Sequence, residues 1–245
     1  MARRSGHRTP DRPTMEHHHR DIRGGTARAA VFGVSDGLVS NVSLVLGVAA
    51  GSHYAQGTVR LAGLAGLIAG AVSMAIGEYV SMTAQAELLQ RELDLERREL
   101  KRVPEAERRE LAHIYRSRGV DAETADTLAS EMMRDPDLAL ETHAREELGI
   151  DPNALGSPVR AAASSFVSFA IGALIPLLPW FFGGGRTYVA ASIVLGAIAA
   201  FSVGAALARF TGRSVVRSAG RQLILSAIAA AITYGIGAAV GVATG

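Results

Sequence analysis

Three long stretches of the chain, residues 29–59, 61–86 and 159–245, carry almost no charge, and the last is broken by one short basic segment. A helix crosses bilayer hydrocarbon in about 20 residues, so apolar runs this long belong in a membrane rather than a soluble core. Five spans fit, at about 28–51, 58–82, 160–182, 187–208 and 218–243. Residues 84–158, between the second and third, are charged and punctuated by turn signals. Only helices and closed barrels satisfy their backbone in lipid. The expected fold class is an all-α membrane protein with five transmembrane helices and a cytoplasmic helical insert between helices two and three.

The second span continues unbroken into the insert, through Gln85, Leu88, Leu89, Leu93 and Leu95 to about Arg102. Pro104 restarts a helix at its first turn, where a missing N–H is harmless. Gly119 ends that helix, and Asp121 is placed to cap the next. Asp135-Pro136 repeats the cap-plus-proline start, Gly149 closes the fourth piece, and Ser157-Pro158 opens the third span the same way. The pattern predicts a small helical bundle joined rigidly to the second span. Pro176 and Pro179 predict a kink near the outer end of the third span. Gly33/Gly37, Gly47/Gly51, Gly66/Gly70 and Gly237/Gly241 recur at intervals that let helix backbones approach closely in lipid.

Charge orients these elements. Of 25 Lys and Arg, 23 fall before or at the start of the first span, within 84–160, or in the turn between spans four and five; Arg60 and Arg186 occupy the other loops. The positive-inside rule places the basic side in the cytoplasm and the C-terminus outside. The expected organisation is a disordered cytoplasmic tail (1–27), helices one and two (28–83), a cytoplasmic helical domain (84–158) and helices three to five (159–245). The tail has no apolar stretch ahead of a small-residue cleavage site, so no cleavable signal peptide is read there. Its His17–His19 tract is of metal-binding type, though three histidines in a polar tail also serve as solvated filler.

Composition removes several chemistries. The absence of cysteine excludes disulfides, thiolate zinc sites and iron–sulfur clusters. A pI near 9.3 raises nucleic acid as a partner. The basic residues follow the membrane boundary rather than one face, so no nucleic-acid partner is expected.

Of 23 Asp and Glu, 18 lie between Glu87 and Asp151, and only Asp36 and Glu78 lie inside spans. A carboxylate at the bilayer centre costs about 2.5–3.5 kcal/mol on insertion scales, and persists where it has a task. Asp36 sits about eight residues into the first span, roughly 12 Å deep at the helical rise. Ser40, Ser43 and Gly47 continue its face at i+4, i+7 and i+11. Glu78 lies about a turn from the cytoplasmic end of the second span, with Met74 and Met82 at i−4 and i+4 on the same face. Carboxylate oxygens beside thioether sulfurs suit a borderline transition metal better than Ca²⁺ or Mg²⁺. The structural alternatives are that Asp36 caps or bends its helix, that Glu78 snorkels to the interface, and that the methionines pack.

In the insert, Glu96/Glu99 and Glu107/Glu110 form two Glu-x-x-Glu pairs on either side of Pro104. Each pair sets two carboxylates one turn apart on a helix face. A hairpin at Pro104 brings all four together, and four converging carboxylates either bind a cation or protonate. Against this, Arg97, Arg98, Lys101, Arg102, Arg108 and Arg109 interleave with them, as on an ordinary solvated helix.

The run Gly33-Val34-Ser35-Asp36-Gly37-Leu38-Val39-Ser40, with Leu44-Val45-Leu46-Gly47-Val48-Ala49 after it, resembles the first-span signature of the vacuolar iron transporter family. Ser73-Met74-Ala75-Ile76-Gly77-Glu78-Tyr79-Val80-Ser81 resembles the family's second signature, and Phe169-Ala170-Ile171-Gly172-Ala173-Leu174-Ile175-Pro176-Leu177 is a third match. With the insert, the similarity extends from about residue 20 onward, and the chain reads as a bacterial member. The resemblance implies a five-span homodimer in the cell's inner membrane. It would export Fe²⁺ or Mn²⁺ from the cytosol in exchange for protons, the metal being substrate and no cofactor being bound permanently.

The resemblance also implies Asp36 and Met74 as ligands in the membrane pathway and Glu78 at its cytoplasmic entrance. It implies that the insert is a metal-binding domain built on Glu96, Glu99, Glu107 and Glu110. A family glutamate in a Glu-Leu-Gly run corresponds to Glu147. Two departures stand out: relatives carry Asn where Ser35 stands, and their methionine pair aligns with His143-Ala144. Met132 and Met133 lie upstream, so the source of any soft ligand stays open.

No catalytic residues are expected, and the chain is not read as an enzyme. The rival reading is a di-iron oxidase on a membrane anchor, for which Glu110-x-x-His113 supplies one Glu-x-x-His motif. Such a site needs two of these motifs and two further glutamates on four long helices. A metal sensor is a third possibility, and it leaves Asp36 without a task.

Overall fold

Each apolar stretch becomes one helix in the computed structural model, which describes residues 25–149, 151–152 and 156–244. The His17–His19 tract lies outside the described residues. In chain order the helices are α1 (Gly25–Gly51), α2 (Gln56–Arg102), α3 (Pro104–Ser117), α4 (Ala122–Met132), α5 (Pro136–Glu146), α6 (Pro158–Leu177), α7 (Arg186–Thr211) and α8 (Val215–Thr244). No strand occurs among the described residues. Five helices are long and apolar enough to cross a membrane: Thr26–Gly51, the α2 helix, Pro158–Phe181, Arg186–Arg209 and Val215–Gly241. The protein is an all-α, multi-span membrane protein.

α2 has 47 residues. At about 1.5 Å per residue it is roughly 70 Å long, over twice a bilayer's ~30 Å of hydrocarbon. Its apolar first half serves as the span. With no Gly or Pro after Gly77, nothing stops the helix until Pro104 forces Val103 out of the α region (φ −136°, ψ 49°). The insert then folds back by the predicted caps. Asp121 Oδ1 accepts from Thr124 N at 3.0 Å, and Asp135 Oδ1 accepts from Asp137 N at 2.9 Å. Gly119 takes φ +96°, the left-handed turn that side chains avoid. Leu93 of α2 buries with Leu140 and Ala144 of α5, and Leu111 and Ala112 of α3 bury with Ala129 of α4. Met132 packs on the second of these clusters. It is a core residue.

α1 lies at the centre of the membrane bundle, packed by backbone approach. A Cβ on Gly37 would strike the Phe169 carbonyl of α6, one on Gly172 the Val34 carbonyl, and one on Gly237 of α8 the Gly47 carbonyl. Pro176 lies inside α6, which gives way at Leu178 to a 3₁₀ turn, Leu178–Phe181. Ser192 of α7 braces this change of pitch: its hydroxyl donates to the Pro176 carbonyl at 2.7 Å and accepts from Trp180 Nε1 at 2.9 Å.

Alternation of the helices sets the insert, the start of α1 and the α7–α8 turn at one end. Ser164 of α6 donating to the Thr26 carbonyl at 3.1 Å belongs to that end. At the other end, Gln56 donates to the Trp180 carbonyl and the Arg186 guanidinium lies 5.7 Å from the Tyr54 ring centroid. The two isolated basic residues, Arg60 and Arg186, are thus remote from the basic cluster.

Candidate metal centres

Asp36 lies eleven residues beyond the start of α1, about 16 Å along its axis. Together with Ser40 and Asn41 of α1, Ser73 and Met74 of α2 and Phe169 of α6, it lines a cavity of about 360 Å³. Gly66 and Gly70 complete the α2 wall. A side chain at Gly70 would meet the Phe169 ring and one at Gly66 the Leu44 side chain, so glycine here brings α2 close to its neighbours. The cavity opens on the protein surface, and Asp36 is exposed in the single chain.

The polar stripe expected along α1 is not continuous. Asp36 and Ser40 face the cavity, but Ser43 is buried, and its carbonyl accepts from Thr233 of α8 at 2.9 Å. Gly47 also meets the Thr233 backbone, because α1 changes neighbours along its length. Asn41 escaped the sequence reading. Its Nδ2 donates to the Ala173 carbonyl at 2.6 Å, and its Oδ1 is enclosed without a partner among the described residues. An Asn inside an apolar run was the available signal. Gln222 of α8 donates to Ser35 Oγ at 2.7 Å, fixing the residue beside Asp36.

Glu78 does not line this cavity. It pairs instead with Arg28 of α1, Oε1 to Nη2 at 3.1 Å, at the insert end of the bundle. The two methionines flanking it separate: Met74 borders the cavity, whereas Met82 is buried with Ala29 and Ala161.

The insert gathers acids from three helices. Glu96 of α2 and Glu107 of α3 are 4% and 7% exposed, the first members of the two Glu-x-x-Glu pairs. Glu99 and Glu110, the second members, are exposed. α5 carries His143, fully buried, and the residue after its last turn is Glu147, 33% exposed. His143 Nδ1 lies 3.1 Å from Glu96 Oε1, 3.6 Å from Glu147 Oε2 and 3.9 Å from Glu107 Oε2. Glu96, His143 and Glu147 offer ligand atoms all within 4.8 Å of one another.

Protonation in this cluster departs from solution behaviour. Burial raises the Glu107 carboxyl, and the charges of Glu96, Glu110 and Glu99 raise it further, with His143 opposing. Glu147 is raised by burial and then by Glu96 and Glu110. For His143, burial is the largest influence and lowers its pKa, but Glu96, Glu107 and Glu147 together outweigh it and the net shift is upward. The second members of the acid pairs therefore act on the centre through their charge.

The fold and these clusters define a class: a five-span helical membrane protein with an acid inside its spans and a second acidic centre on a helical insert. The chain belongs to the VIT family, matching it over residues 27–238. It is 40% identical over 186 residues to a vacuolar iron transporter of Acanthamoeba castellanii, covering 72% of this chain and 67% of that protein. Vacuolar iron transporter 1 of Arabidopsis thaliana is 31% identical over 199 residues, 78% of each chain. Vacuolar iron transporter 1 of rice, Oryza sativa, is 33% identical over 170 residues, 68% of this chain and 67% of the relative. All three are named as transporters.

Proposed function

We propose that the protein is a divalent-metal transporter that carries Fe²⁺ or Mn²⁺ out of the cytosol in exchange for protons, working as a homodimer. Its relatives are named as iron transporters, and the chain is accordingly a transporter rather than an enzyme. The oxidase reading needs two Glu-x-x-His motifs and two further glutamates on four long helices, whereas α3, α4 and α5 of the insert have 14, 11 and 11 residues.

The observation that carries the reading is Asp36 and Met74, from two different spans, lining one cavity within the membrane-length part of the bundle. A carboxylate and a thioether on facing helices suit a borderline divalent cation. The openness of that cavity supports a dimer. An exposed mid-span carboxylate facing lipid is costly, and a partner subunit covering it would remove the cost and supply a second ligand set. The positive-inside rule places the insert in the cytoplasm.

In the proposed cycle Glu96, Glu99, Glu107, Glu110 and Glu147 collect metal from the cytosol. The ion passes Glu78 after displacing the Arg28 guanidinium, then binds Asp36 and Met74. Protonation of these carboxylates from the outside releases it.

The test is Fe²⁺ and Mn²⁺ uptake into proteoliposomes under an imposed pH gradient. The parent accumulates metal in proportion to the gradient, and Asp36→Ala stays at the background of empty liposomes. Equal rates for parent and variant would end the transporter reading as drawn. Uptake indifferent to the gradient would remove only the proton coupling.

A further inference from the structure

We propose that His143 is itself a metal ligand of the insert, adding an imidazole nitrogen to the carboxylates of Glu96, Glu107 and Glu147 and biasing the centre toward Fe²⁺ over Mn²⁺. The inference rests on the reading of the insert as a metal-loading domain and adds to it a specificity-determining residue.

Three observations carry it. His143 is completely buried, yet neither ring nitrogen has a hydrogen-bond partner among the described residues, and Glu96 Oε1 beside it has none either. Nδ1 stands 3.1 Å from that oxygen, an ion-pair distance at which the two can share a proton or a cation. Buried polar atoms left unpartnered are uncommon in folded proteins and call for an explanation, an ion among the ordinary ones.

The spacing fits a shared ion. With metal–ligand bonds of about 2.1 Å, two donors lie about 3.0 Å apart at a right angle and about 3.4 Å apart at the tetrahedral angle. The carboxylate oxygens stand 3.1, 3.6 and 3.9 Å from Nδ1, so a small movement of side chains suffices to converge them. A cation there would also offset the repulsion of three acids from α2, α3 and α5. Leu93, Leu140 and Ala144 hold α5 against α2, so His143 is fixed on the inner face of α5.

Specificity follows from ligand type. An all-oxygen set suits Mn²⁺, whereas imidazole gains more from Fe²⁺, which also stands above Mn²⁺ in the divalent affinity series. A thioether would be the softer choice for this position. The nearby Met132 is committed to the α3–α4 core and does not provide one.

The experiment is anaerobic Fe²⁺ and Mn²⁺ titration of the full-length protein in nanodiscs, with pulsed EPR of the Mn²⁺-loaded form. His7, His17, His18 and His19 are changed to Gln throughout to remove the histidines of the tail. Histidine-selective ¹⁵N labelling should alter the nitrogen modulation on bound Mn²⁺, and His143→Gln should abolish it. That variant should weaken Fe²⁺ by about ten- to a hundredfold, in the range seen when metal sites lose a supporting group, and Mn²⁺ by only about threefold. His143→Met, checked for helix content beside it, serves if the glutamine variant misfolds, and it too should lose the nitrogen signal. A histidine-nitrogen signal that survives both substitutions, or unchanged Fe²⁺ preference, overturns the inference. Glu96→Gln separates the two readings. If it weakens binding while His143→Gln does not, only the imidazole role falls; if it too leaves binding intact, the insert is not the loading site.

Discussion

The acids of this molecule stand in two opposite settings. In the insert, Glu96, His143 and Glu147 of a single chain offer ligand atoms within 4.8 Å of one another, and Glu107 Oε2 lies 3.9 Å from His143 Nδ1. In the membrane, one carboxylate and one thioether line a cavity that is open at the surface. The first arrangement, as the proposed loading site, would replace much of a cation's water from one chain. The second, under the proposed dimer, would be completed by a partner subunit. That contrast fits a division of labour, because a passing ion must bind strongly enough to enter a pathway and weakly enough to leave it. In the proposed cycle the insert is the capturing site and the membrane site the releasing one.

The sharpest way to break the comparison is to disable each centre separately. Asp36→Ala should reduce uptake to background while leaving metal binding by the insert unchanged in affinity, read by titration of the same preparation. The double change Glu96→Gln with Glu107→Gln should do the converse. Insert affinity should fall by about ten- to a hundredfold, while uptake at saturating metal retains a measurable rate. If the insert variant abolishes transport at every metal concentration, the two centres are not separable steps.

The fold was legible because the signals that set it are local and strong. Hydropathy gave five spans, and the predicted end of α2 near Arg102 follows from Pro104 alone. Asp121, Asp135 and Ser157 cap where their spacing says. What spacing could not supply was orientation between helices. The two members of each Glu-x-x-Glu pair look equivalent in sequence, yet packing of α2 against α3 and α5 buries Glu96 and Glu107 and leaves Glu99 and Glu110 in water. The Met74/Met82 pair divides for a related reason: the neighbours of α2 change over two helical turns, from the Phe169 cluster to Ala29 and Ala161. His143 lies 36 residues after Glu107 in sequence, and only the return of α5 to α2 brings it to the acids.

Protons offer a gentler probe of the same contrast. Glu107 and Glu147 are raised by burial and neighbouring acids, and His143 is raised because its carboxylates outweigh burial. All three folded values therefore lie above the unfolded ones. Each group's contribution to folding is complete below its unfolded value, 4.5 for the glutamates and 6.5 for the histidine, and is lost as pH rises through the folded value. Metal-free protein should thus lose thermal stability in the insert by a few degrees between about pH 5 and pH 8. Saturating Mn²⁺ should raise the melting temperature more at pH 8 than at pH 6, because fewer protons must leave. Metal-free melting that is highest at pH 8 would contradict the shifts.

The smallest expected effect lies between the two centres, at the Arg28–Glu78 pair. The guanidinium is half-exposed while the carboxylate is mostly covered, 53% and 17%. Pairs this wet contribute about 0–1 kcal/mol, a factor of up to about five in an equilibrium constant. If a cation must displace Arg28 to reach Glu78, Arg28→Gln should lower the half-saturating metal concentration by up to about fivefold and leave the maximal rate unchanged. If Arg28 instead holds the Glu78 carboxylate in place for the ion, the same variant should raise that concentration. Insert titration should not move in either case, since neither residue touches Glu96 or His143. The sign of the uptake change then tells whether the mouth of the pathway is guarded or merely held open.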